Sequence, residues 1–143
     1  MKAHLSSKMF CTAILALASF AAVAQDPTAR CMEGLSAEPR LSPIADKVAL
    51  VRSSQPFVQR VSERTASAEE RAAIAVWMNL RAKCYDAGAE HRRALSTPQE
   101  IAYVRSVFVF QQMLAAELQS GRIGYAEYNR RRAELVQSAG QEI

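Results

Sequence analysis

The chain has 143 residues, half of them hydrophobic and 22% charged, with 18 lysines and arginines against 14 acidic residues and a formal charge of +4. That length suits one domain with one modest core. The charge is too small and too scattered for the concentrated cationic face of a nucleic-acid binder, so no nucleic-acid partner is expected.

Lys2 and Lys8 form a positive start, residues 9–20 are apolar apart from small hydroxyl residues, and Ala22-Val23-Ala24 makes an A-x-A box before Gln25. This pattern predicts a secretory signal peptide over residues 1–24, cleaved between Ala24 and Gln25. Its apolar run of about 16 residues falls short of the roughly 20 that span a bilayer, and no second run follows. No integral membrane segment is therefore expected after removal, and the location is periplasmic or secreted. Without the signal, 143 − 24 = 119 residues carry 18 − 2 = 16 basic and 14 acidic side chains, a charge of +2. Cys11 leaves with the signal, and Lys8-Met9-Phe10 before it is no lipobox. Cys31 and Cys84 remain as one pair in an oxidising compartment, and a disulfide between them is expected. The alternative, a reactive thiol, requires a low-pKa setting that the sequence does not display.

Residues 25–41 contain Pro27, Gly34 and Pro39 with few apolar positions and read as an irregular arm tied down at Cys31. Ser42-Pro43 supplies an N-cap and a first-turn proline, and Ile44, Val48 and Val51 follow at helical spacing, which predicts a short helix. Ser53-Ser54-Gln55-Pro56 interrupts it, with Phe57, Val58 and Val61 in a further turn. Ser67-Ala68-Glu69-Glu70 is a capping box, opening a helix whose face is Ala73, Trp77, Leu80, Cys84 and Ala87 and whose stop is a left-handed Gly88. Thr97-Pro98-Gln99-Glu100 repeats the box. The helix it opens carries Ile101, Val104, Val107, Phe108, Phe110, Met113, Leu114 and Leu118, a stripe broad enough to predict the central helix. A last helix is expected from about Tyr125 to Ser138, with Tyr128, Leu135 and Val136 inward and Arg130, Arg131 and Arg132 mostly outward. No period-2 alternation bounded by hairpin turns appears, so the fold class is all-α. The expected architecture is a bundle of about four helices over residues 42–143, preceded by the irregular arm and its single disulfide.

The segment from Leu118 through Gly121, Ile123, Gly124, Glu127 and Tyr128, with Leu135 beyond, resembles the short C-terminal helical hairpin family called SHOCT. That family shows a leucine, Gly-x-Ile-Thr, a glutamate followed by an aromatic residue, then basic residues and a leucine; this chain has Gly124 at the threonine. The resemblance covers about residues 118–136. It implies an association element, with Gly121 closing one helix, Ile123 filling the hairpin and Tyr128 packing on it.

The residues for most site chemistries are missing or otherwise employed. His91 with Asp86 and Glu90 falls short of a zinc ligand set, so no metal is expected. No Gly-x-Ser-x-Gly elbow, phosphate loop or dinucleotide fingerprint occurs, so neither catalytic residues nor a cofactor are assigned. Glu69, Glu70 and Glu100 sit in first helical turns, where capping and the helix dipole account for them. Arg92-Arg93 and Arg130-Arg131-Arg132 spread around their helices and read as solvated faces. Val107, Phe108 and Phe110 cannot all face one way, so together with Leu118, Ile123 and Tyr128 they form the candidate association surface. The leading expectation is an exported, non-enzymatic envelope protein that binds another envelope protein or itself. The alternatives are a small periplasmic chaperone or inhibitor that binds apolar client segments, and a hydrolase with an unrecognised site.

Overall fold

The computed structural model describes residues 26–50 and 63–141, with side chains through 138. The expected signal segment, Val51 and the turn around Phe57, Val58 and Val61 lie outside the described residues. Within them the chain is all-α, with helices α1 (Pro27–Glu33), α2 (Ala68–Ala87), α3 (Ala89–Leu95), α4 (Pro98–Gln119) and α5 (Tyr125–Gln141), and 3-10 turns at Gly34–Ala37 and Pro39–Ile44.

The arm expected to be irregular is therefore helical. Asp26 accepts from the Thr28 backbone N–H at 2.8 Å, and Pro27 occupies the first turn, where a missing N–H costs nothing. The next start is also earlier than Ser42-Pro43. Glu38 caps the 3-10 turn by accepting from the Arg40 N–H, and Pro43 lies inside it. Leu41, Ile44 and Val48 from this region are buried in the core. Cys31 of α1 and Cys84 of α2 are joined by the disulfide, their Cα atoms 5.3 Å apart.

The two capping boxes form as the sequence predicts. Ser67 Oγ accepts from the Glu70 N–H at 3.3 Å while the Glu70 carboxylate accepts from the Ser67 N–H at 2.8 Å. Thr97 and Glu100 make the same reciprocal pair at 3.2 and 2.7 Å. Ala73, Trp77 and Cys84 of the predicted α2 face are buried, Leu80 is half-buried and Ala87 is exposed. Gly88 is not left-handed: its φ is −89°, and the chain continues at once into α3. The left-handed stop is Gly121, φ +76°. There the Arg122 N–H reaches Glu117 O at 3.0 Å and the Gly121 N–H reaches Leu118 O at 3.1 Å, the Schellman pattern that turns α4 back into α5.

The central helix is α2, not α4. The 39–44 turn, α1, α3 and α4 all pack on α2. Leu114, Ala115 and Leu118 at the end of α4 enter the core, whereas Val104, Val109, Phe110 and Met113 before them are exposed. The apolar residues of α4 face in two directions: its inward side meets Tyr85, Arg81 and Met78 from Phe108 onward and enters the core at its last turns. The core then continues through Ile74, Trp77, Tyr125 and Tyr128, with the Trp77 and Tyr128 rings edge to face at 6.4 Å.

Candidate association surface

Of the residues nominated from sequence, Leu118 and Tyr128 belong to the core, at 0% and 1% exposure, and cannot meet a partner in the folded protein. Leu118 closes α4 against α5, and Tyr128 lies against Trp77. Ile123 is half-buried against the same core. Val107 is half-buried, and Phe108 stacks on Tyr85 with ring centroids 4.3 Å apart. Phe110 remains a surface residue, 60% exposed.

Met113, which carried no role in the sequence reading of the surface, is 59% exposed beside Phe110. Together with Pro98, Ile101, Ala102 and Val109 they line a shallow groove of about 460 Å³ along the outer side of α4. Helical geometry places them there. At about 100° per residue, positions 98, 102, 109 and 113 fall within about 60° of one another, opposite the side that carries Ala115. The i, i+4 repeat that selects them is present in the sequence, inside the broad apolar stripe that also carries the inward residues.

Polar atoms are sparse on this face. Arg105 and Ser106 complete the groove, and the Ser106 hydroxyl donates to Tyr103 O at 2.7 Å, which leaves its oxygen able to accept.

The arginine clusters are engaged elsewhere. Arg92 donates to Thr28 Oγ1 at 2.7 Å and lies over the Tyr85 ring at 3.9 Å, so it ties α3 to α1. Arg93 pairs with Glu90. Arg130 pairs with Glu127 and Glu134, and Arg131 with Glu127 and Glu117. Glu127 is held below the ordinary carboxylate range by its hydrogen bonds to Arg130 and Arg131. Arg132, expected outward, is buried, because it follows core Tyr128 by one helical turn.

A second polar cluster joins α2 to the segment before it. Glu70 accepts from Arg64 Nη2 at 2.6 Å and Nη1 at 3.0 Å, with Lys47 Nζ 3.5 Å away. The Arg64 guanidinium, followed by the Ser67 N–H, outweighs burial and holds the Glu70 carboxyl at about 2. Burial beside Glu70 pushes the Tyr125 hydroxyl well above its ordinary value. These shifts belong to a helix start and its anchor. Glu70 and Glu100 act as caps, and no three His, Cys, Asp or Glu side chains gather as a metal set among the described residues. No helix among them is long and apolar enough to cross a membrane.

Compared with known proteins, the chain matches no family model, no curated protein and no solved structure.

Proposed function

We propose that this is an exported, non-catalytic protein of the cell envelope that works by association, and that the outer face of α4 pairs with the same face of a second copy. The observation that carries the reading is the self-matching order of the groove. Antiparallel pairing about a point between Arg105 and Ser106 sets Pro98 against Met113 of the second copy and Ala102 against Val109, with Ile101 and Phe110 on opposite flanks of the seam. Each pair joins a smaller side chain to a larger one, which suits the self-complementary patch of an isologous two-fold interface.

From 98 to 113 the face is about 22 Å long, a single-helix contact below the ~800 Å² per partner of a standard interface. Dimerisation is accordingly expected near micromolar concentration. The disulfide supports the exported location, since such bonds persist in oxidising compartments. The SHOCT-like hairpin contributes by holding α4 in place from within.

Sedimentation of the oxidised protein from low to high micromolar concentration tests the pairing. The expected result is a monomer–dimer equilibrium that Phe110→Asp shifts at least tenfold toward monomer while the helical spectrum is unchanged. A wild type that stays monomeric at several hundred micromolar overturns it. A monomer that binds an apolar peptide through Phe110 also overturns it, and moves the function to client capture.

A further inference from the structure

Arg81 of α2 lies between the aromatic pair Trp77–Tyr128 and the stacked pair Tyr85–Phe108, beside the half-buried Gln111 of α4, and Arg132 of α5, one turn after Tyr128, is buried as well. Arg81 and Arg132 are only 7% and 9% exposed. Both are permanent cations. The Arg81 guanidinium lies 5.0 Å from the Trp77 ring centroid and 5.9 Å from that of Phe108, and its Nη2 donates to Gln111 Oε1.

The donors around it outnumber the acceptors. Arg81 Nη1, Arg132 Nη1 and Trp77 Nε1 are fully buried and have no hydrogen-bond partner. Among the described residues no carboxylate pairs with either arginine, in contrast to Arg64, Arg130 and Arg131 on the surface. Burial lowers the Arg81 pKa; the Tyr128 hydroxyl opposes that shift and the charge of Arg132 adds to it. Of the orphaned buried oxygens, the Tyr125 hydroxyl stands beside Glu70, and Gln112 Oε1 lies about 100° around α4 from Gln111 with its amide held on Met78 O. Neither serves this layer.

A buried charge with one partner removed is among the most costly arrangements in a protein interior, and like charges add to it. Ring contacts offset part of that cost, and only for Arg81. Three buried, unpartnered N–H donors, on two cations and an indole, are the chemistry of an anion site.

We propose that Arg81, Arg132 and Trp77 bind a small monovalent anion, of halide or formate size, inside the three-helix junction. The burial of both guanidiniums favours a free ion over a peptide carboxylate, which would have to bring its chain into the core. The ion completes the hydrogen bonding of the layer and neutralises one of its two charges. Since the unfolded chain has no such site, the ion stabilises the fold by mass action.

The test is urea unfolding of the oxidised protein at constant ionic strength, with chloride or formate replacing gluconate, a larger anion. In the wild type, once the site is saturated, each tenfold rise in chloride is expected to raise the folded-to-unfolded ratio about tenfold. Arg132→Met is expected to lose that dependence and, in gluconate alone, to be more stable than the wild type. A wild-type midpoint indifferent to chloride overturns the proposal, as does an equal chloride response in Arg132→Met, which would mark screening. Chloride-35 NMR on the wild type is independent of how the variant folds. Line broadening that formate reverses supports the site, and an unbroadened line refutes it.

Discussion

The disulfide offers the sharpest quantitative expectation. Replacing Cys31 and Cys84 together by alanine opens a loop of 53 residues, and the chain-entropy relation gives about 4 kcal/mol for a loop of that size. Loss of the buried Cys84 sulfur adds about 1 kcal/mol. The sum of about 5 kcal/mol rivals the whole stability of a small domain, about 5 to 15 kcal/mol. The loss should also be local. Helix α1 buries no residue fully: besides the disulfide, it is held by the half-buried Met32 against the core and by the Thr28–Arg92 hydrogen bond to α3, worth about 1 kcal/mol. Without the sulfur bridge α1 should undock before the bundle melts. Urea unfolding followed by far-ultraviolet circular dichroism should show the midpoint falling by about 2 to 4 M for a slope near 1.5 kcal/mol/M, and reduction of the wild type should reproduce it. Hydrogen exchange should show α1 amides losing protection while α2 keeps it. An unchanged midpoint with α1 still protected would refute the argument.

Trp77→Ala is expected to lose about 3 to 5 kcal/mol, since the ring is buried against Tyr128; near wild-type stability in a calorimetric scan would contradict its core role. Gly124→Ala places a Cβ 2.4 Å from the Glu63 backbone oxygen, which cannot rotate away, so about 1 to 3 kcal/mol of stability should be lost in a urea titration, and a neutral outcome would show that the 63–64 segment gives way. Glu70 has a folded pKa of about 2 against an ordinary 4.5, so its contribution is present above pH 4.5 and lost as pH falls toward 2. Urea midpoints at stepped pH should decline over that window, and Glu70→Gln should flatten part of the decline; identical slopes would remove Glu70 from the account. Exported protein should begin at Gln25 on N-terminal sequencing, and a mature form retaining Met1 would contradict the signal peptide.

Helix starts were legible in the sequence where a reciprocal capping box marks them. Ser67 with Glu70, and Thr97 with Glu100, satisfy each other within one turn, so four residues suffice to announce them. The same logic was available in Asp26-Pro27, yet few apolar residues follow it, and α1 is stabilised mainly by a bond to a cysteine 53 positions away. The cysteine pairing was settled by counting, given export. Which side of α4 is covered was not decided locally. Its apolar residues fill two faces, and where α2 and α5 meet it determines that Leu118 is core and Phe110 is surface. The buried arginines show the same limit. Arg81 and Arg132 each follow a core aromatic by one turn, Trp77 and Tyr128, but a cation at such a position more often turns outward to water along its flexible stem. Only the convergence of three helices encloses both, because burial depends on neighbours far apart in the chain while periodicity registers only those one turn away.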